Sequence, residues 1–232
     1  MLARWLLAVV VGIALAAAAS LYAGWLRVPD RWNPFVALVI DEEPGSLTRY
    51  KLARLDDDPA LCRSVLAASQ LRLESVPDRV GGPGCELRDA VRIDALSAAV
   101  AQPFVLTCRT AAALALWDRH VLQAQARAHF GRPVTRIEHY GSYACRNVYG
   151  RENGPRSRHA TADAVDIAGF TIAGGRRVRV LADWNGHDAE AAFLRDVHRG
   201  ACRFFDAVLG PDYNAAHRDH LHFDRGSYRS CR

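Results

Sequence analysis

Residues 164–181, AVDIAGFTIAGGRRVRVL, carry a hydrophobic period of two rather than the helical 3.6. Phe170 to Ala173 and Arg176 to Leu181, joined through Gly174-Gly175, predict a β-hairpin, and Ala164 to Ala168 reads as a strand leading into it. Asp219 to Asp224 reads as a further strand. Upstream the period changes. Thr110 is placed to cap a helix running to Phe130, with Leu114, Trp117, Val121 and Ala124 at helical spacing and Gly131 with Pro133 to stop it. A second long helix is expected from Ala189 to Val208, ending before Gly210-Pro211, and a short one over Ala60 to Ser69. Helices followed by strands and hairpins, with no regular βαβ alternation, predict an α+β fold with an antiparallel sheet and packed helices.

The 232 residues suit one domain with a short appendage. Half of them are hydrophobic and 24% are charged, enough to bury a core and too apolar for a disordered chain. The net charge of +5 comes from basic residues interleaved with acids, which argues against a nucleic-acid partner. Trp5 to Leu26 is an apolar run between Arg4 and Arg27, with Trp5, Tyr22 and Trp25 at its ends. It predicts one N-terminal transmembrane helix, with everything after it outside the cytoplasm. A cleaved signal segment is the rival, since Ala16 to Ala19 offers small residues for a peptidase. The expected organisation is therefore an anchor or signal segment over 1–27, a spacer rich in Pro and acid over 28–54, and a folded domain over 55–232.

Six cysteines, Cys62, Cys85, Cys108, Cys145, Cys202 and Cys231, are scattered without a Cys-x-x-Cys pair, so they read as disulfides rather than a zinc ribbon. Six allow 15 pairings. Proximity along the chain favours Cys62 with Cys85, Cys108 with Cys145, and Cys202 with Cys231.

The residues with chemistry to offer are His159, Asp166 and the run His217-Arg218-Asp219-His220-Leu221-His222-Phe223-Asp224. On a strand, His220, His222 and Asp224 would share one face while Leu221 and Phe223 face a core. Asp166 sits between Val165 and Ile167, in a β-branched setting where a half-buried carboxylate needs a cation or donors to offset its desolvation. A zinc ion would supply that cation, with His159, Asp166 and one strand histidine as protein ligands and one position left for water. His120, His129, His139, His187 and His198 lack partner spacing and read as structural.

Ser157-Arg158-His159 through Asp166, and His220-Leu221-His222, resemble the Ser-x-His-(x)6-Asp and His-x-His elements of the M15-type zinc peptidases, the D-alanyl-D-alanine carboxypeptidase, dipeptidase and murein endopeptidase group. Gly141-Ser142-Tyr143-Ala144-Cys145-Arg146, Leu209-Gly210-Pro211-Asp212-Tyr213-Asn214 and the segment from His217 to Asp224 resemble the bacterial extensin-like C-terminal domain family, over roughly Pro34 to Arg232. The resemblance implies an M15 peptidase-like fold and assigns zinc to His159, Asp166 and His222, general base to His220, a second proton-handling role to His217, and carboxylate or oxyanion binding to Arg146. Ala162 departs from the pattern by standing where a glycine is common, and Asp219 stands where one branch carries a glutamate base.

The function so implied is a zinc-dependent amide hydrolase acting on peptidoglycan peptides, anchored in a bacterial inner membrane by the N-terminal span with its domain in the periplasm. The alternative is a non-catalytic cell-wall binding or scaffolding module that keeps zinc for structure; an open cleft beside the metal ligands separates the two.

Overall fold

The structure, a computed structural model, describes residues 2–26, 28–69 and 71–232. In chain order its helices are α1 (Leu2–Tyr22), α2 (Thr48–Asp57), α3 (Pro59–Ala67), α4 (Cys108–Trp117), α5 (Gln123–Phe130), α6 (Val180–Asp183) and α7 (Ala189–Ala201). The strands are β1 (Arg72–Val76), β2 (Arg79–Val80), β3 (Glu86–Leu87), β4 (Ala90–Ala95), β5 (Ala99–Thr107), β6 (Val134–Gly141), β7 (Ala164–Ile172), β8 (Arg177–Arg179), β9 (Ala207–Leu209), β10 (Leu221–Asp224) and β11 (Ser230–Cys231).

The α+β class holds, but the sheet is mixed rather than antiparallel. Its order is β1-β4-β5-β6-β7-β10-β9-β11, with β8 also on β7, and the β5–β6 and β9–β11 pairs are parallel. The parallel β5–β6 pair follows from the α4–α5 run between them, which carries the chain back across the sheet before β6 begins. The helical period from Thr110 to Phe130 is one rod, interrupted only by a π turn at Asp118–Leu122 and closed by Gly131 in the left-handed conformation, φ +66. The helix expected to reach Val208 stops at Ala201, because Ala207–Leu209 pairs with β10 as a strand.

The core lies between the sheet and α4, α5 and α7. Trp117 is fully buried, with its ring centroid 5.1 Å from Phe223 and 6.1 Å from Phe170, and its Nε1–H donates to the Val197 carbonyl at 2.9 Å. Truncating such a side chain to alanine costs about 3–5 kcal/mol. Leu38, Ile40 and Leu52 are buried in the same core. On β7, Val165 and Ile167 face the core, and so do Phe170 and Ile172, which breaks strict alternation. The β6–β7 register slips at Ala168, where a bulge resets parity and leaves Asp166 on the opposite face from all four.

The predicted membrane anchor is not upheld. Among the described residues no helix is long and apolar enough to cross a membrane. The helix leaves its axis after Tyr22, and Gly24 takes a left-handed turn at φ +73. Only 18 residues of the expected span, Trp5 to Tyr22, are helical, and six of them are alanine. That is fewer than the roughly 20 predominantly apolar residues a membrane span takes. The inner-membrane placement built on that span falls with it. Arg27, the expected basic flank, lies outside the described residues.

All six cysteines are paired, as Cys62–Cys108, Cys85–Cys145 and Cys202–Cys231, with Cα–Cα distances of 6.1, 5.4 and 5.9 Å. Only the last follows chain proximity. Cys62 on α3 meets Cys108 because α3 packs on α4, and Cys85, next to β3, meets Cys145 because β3 abuts the turn around residues 158–161.

Candidate functional site

The site is built on the first residues of β7, the four of β10 and the turn that precedes β7. In register, His222 pairs with Asp166, so two adjacent strands present them side by side. The third member arrives from a 3-10 turn, Arg158–Thr161, capped by Ser157, whose Oγ accepts the His159 N–H at 3.3 Å. That turn closes on Ala162 at φ 57, ψ 29, in the left-handed region that favours glycine. Ala162 holds this conformation with some strain that a glycine would avoid. Asp163 then pins the turn: Oδ1 accepts from Thr107 Oγ1 at 2.7 Å and from Arg109 Nε at 3.0 Å, while Oδ2 accepts from Thr161 Oγ1 at 2.8 Å.

His159, Asp166 and His222 bring one ligand atom each within 4.8 Å of one another, a group able to hold a metal ion. His222 Nδ1 is 2.9 Å from Asp166 Oδ1, and His159 Nε2 is 3.2 Å from both Asp166 Oδ2 and His222 Nδ1. The outer nitrogens are engaged as well. His159 Nδ1–H donates to the Ser142 carbonyl at 2.6 Å, and His222 Nε2–H to Asp224 Oδ2 at 3.1 Å. Both inner nitrogens therefore face the cluster as acceptors when the rings are neutral. Ser142 reaches His159 because β6 bulges at Tyr140 and Gly141 turns at φ +111, a conformation closed to most L-residues.

Electrostatics follow from this packing. Burial pushes the Asp166 carboxyl up, but hydrogen bonds from His159 and His222, with their charge, outweigh it and hold it well below the usual carboxylate range. Burial pushes the His222 imidazole down, and its bonds to Asp166 and Asp224 prevail, raising it to about 9. Asp166 and His222 are thus held as an ion pair. His217 is pushed down to about 4 by burial and by His222 and His220.

A pocket of about 590 Å³ opens over the cluster. Its lining includes His159, Asp166, His222, His220, His217 and Arg146, so the six residues given roles from the sequence come to one place, while Asp219 lies outside the lining. His220 stands just outside β10, with Nε2 3.6 Å from Asp166 Oδ1. Although it precedes the strand, its ring lines the same pocket as His222, on the side expected for it. Arg146 is exposed on the wall. The structural reading of the other histidines fits four of them, which hydrogen-bond away from the pocket: His120 to Ile40, His129 to Asp196, His139 to Gln102 and His198 to Arg232. A family model described as Extensin-like protein C-terminus matches residues 60–232. The chain belongs to that family. No curated protein and no solved structure matches it.

In this extensin-like chain the sequence reading missed the outer partners. Ser142 contributes a backbone carbonyl, which no residue type announces. Asp224 was placed on the His222 face by alternation, yet its bond to the ring needed coordinates. Tyr149, Tyr213, Tyr228, Arg156 and Arg158 also line the pocket, and nothing in their spacing points to it.

Proposed function

We propose that this protein is a zinc-dependent amide hydrolase acting on peptidoglycan peptides. The observation that carries the reading is the convergence of His159, Asp166 and His222 on the floor of an open pocket whose wall holds His220, His217 and Arg146. The donor set fits zinc. Two imidazole nitrogens and a carboxylate separated by 2.9–3.2 Å are close to the separation of about 3.4 Å between ligand atoms of a tetrahedral ion with bonds near 2.0–2.1 Å. Each histidine also has the carbonyl or carboxylate partner that metal-bound imidazoles use. The substrate class rests on the likeness of Ser157-x-His159 through Asp166 and of His220-x-His222 to the M15-type peptidases.

Zinc, when bound by His159, Asp166 and His222, supplies a Lewis acid for the scissile carbonyl and lowers the pKa of water toward neutrality. The chain's own groups do the rest. His220 accepts the proton of the attacking water and delivers it to the leaving amine. His217, in ring contact range of His220 at 5.2 Å between centroids, assists proton handling. Arg146 binds a substrate carboxylate or the developing oxyanion from the wall. The open pocket favours this reading over a closed, structural zinc site.

Digestion of purified muropeptides by the full-length protein tests the proposal. New amino termini should appear with zinc, disappear with a chelator and return when zinc is restored; absence of cleavage across several wall chemotypes would reject it.

A further inference from the structure

Two pocket histidines outside the ligand set are also gripped from behind, by residues to which no role has yet been given. Asn214 Oδ1 accepts the backbone N–H of Ala216 at 3.0 Å, which identifies that end of the amide as the oxygen. The same oxygen lies 2.8 Å from His217 Nδ1. An amide oxygen only accepts, so Nδ1 carries the hydrogen and, in the neutral ring, Nε2 is bare. The other end of the amide agrees: Asn214 Nδ2 donates to Tyr149 Oη at 2.9 Å. His220 repeats the arrangement with a different partner. Its Nδ1 is 2.9 Å from Asp219 Oδ1, another pure acceptor, while Nε2 stands 3.6 Å from Asp166 Oδ1, beyond hydrogen-bond range.

We propose that Asn214 and Asp219 are positioning residues that lock His217 and His220 in the Nδ1–H tautomer, so that the free acceptor of each ring is Nε2. Asp219 is then not a base. It is the carboxylate that turns one. Asn214 has a second consequence, because it ties His217 to Tyr149, a residue held at φ 56 on the pocket wall. That wall and the ring share one amide, and a ligand that displaces Tyr149 alters the grip on His217. The catalytic importance of the two residues rests on the hydrolase reading; the tautomers do not.

The experiment separates the two. Long-range ¹H–¹⁵N correlation on the ¹⁵N-labelled, metal-free full-length chain reads the tautomer of each ring at mildly alkaline pH, where an ordinary imidazole is neutral. Both rings should show a protonated Nδ1 and a bare Nε2. Asp219→Ala should release His220 alone toward the Nε2–H form, Asp219→Asn should retain the lock through its remaining amide oxygen, and Asn214→Leu should release His217 alone. Where zinc-loaded protein turns over muropeptides, Asp219→Ala should lower the turnover number by about 10- to 100-fold with little change in KM. A wild-type spectrum with Nε2–H on either ring overturns the proposal, with no variant needed, and so do folded Asp219→Ala or Asn214→Leu variants whose tautomers do not change. Locked tautomers in a chain that cleaves nothing would leave this inference standing and remove the hydrolase reading.

Discussion

His222 and Asp166 are register partners on β10 and β7, and their side chains meet at 2.9 Å. Two neighbouring strands thus fix an imidazole and a carboxylate side by side, and only the turn carrying His159 has to close on them. A pair held by sheet register cannot drift apart without breaking the ladder, which is the rigidity the proposed metal site requires.

Loss of a ligand should therefore differ from loss of the proposed base. His159→Ala, Asp166→Ala and His222→Ala should each lower zinc content of the purified protein, while His220→Ala should keep zinc and lose hydrolysis by about 10²- to 10⁴-fold. Metal analysis and muropeptide turnover on one preparation check this. Zinc lost from His220→Ala but kept by His222→Ala would exchange their roles.

The outer partner of His222 should matter nearly as much. Asp224 Oδ2 holds Nε2–H at 3.1 Å. Asp224→Ala frees the ring to rotate and should weaken zinc binding by about 10- to 100-fold. Competition against a chromogenic chelator measures it; affinity equal to wild type would show that Asp224 contributes packing alone.

Stability should fall on the acid side of neutrality. Burial lowers the His139 and His198 imidazoles below their ordinary value. A histidine depressed in the fold binds fewer protons folded than unfolded, so stability is complete above the unfolded pKa of about 6.5 and is lost as pH falls through the folded value. Thermal melts across this range should show the midpoint dropping below about pH 6.5, with a shallower slope in His139→Gln. A midpoint flat down to the carboxylate range contradicts the assignment.

Cross-linking and packing give two further numbers. Cys85–Cys145 closes a separation of 60 residues and ties the segment bearing Ser142 and Arg146 to the turn before β3. Its removal as a Cys85→Ser/Cys145→Ser pair should cost about 4 kcal/mol on the chain-entropy account. Gly200→Ala would drive a methyl into the Val121 side chain where α7 crosses the π turn, at a cost of about 1–3 kcal/mol. Denaturant titration reads both, and peptide mapping without reduction should recover Cys62–Cys108, Cys85–Cys145 and Cys202–Cys231.

What the sequence could disclose was local. Val165, Asp166 and Ile167 announced a strand because period two needs no partner to be seen, and Gly131 announced a helix end because its left-handed turn is a backbone property. The mixed sheet was hidden, since parallel β5–β6 pairing depends on how the α4–α5 rod folds back. Val208 fits a helical period and a strand equally well, and pairing with β10 decided for the strand. Hydropathy counted Ala23 to Leu26 into a span that the turn at Gly24 ends. The cysteine pairs depended on which elements pack together, which chain distance does not encode. At the pocket, side-chain types pointed to His159, Asp166, His217, His220, His222 and Arg146, whereas the carbonyl of Ser142 and the grips of Asp224, Asn214 and Asp219 exist only in three dimensions.

The most direct test of the central claim is muropeptide hydrolysis measured while zinc is added stepwise to metal-free protein. The account predicts a rate that rises with zinc and levels off at one equivalent, with His222→Ala showing no such plateau. A rate indifferent to zinc, or no hydrolysis at any ratio by protein shown to bind one equivalent, would contradict it.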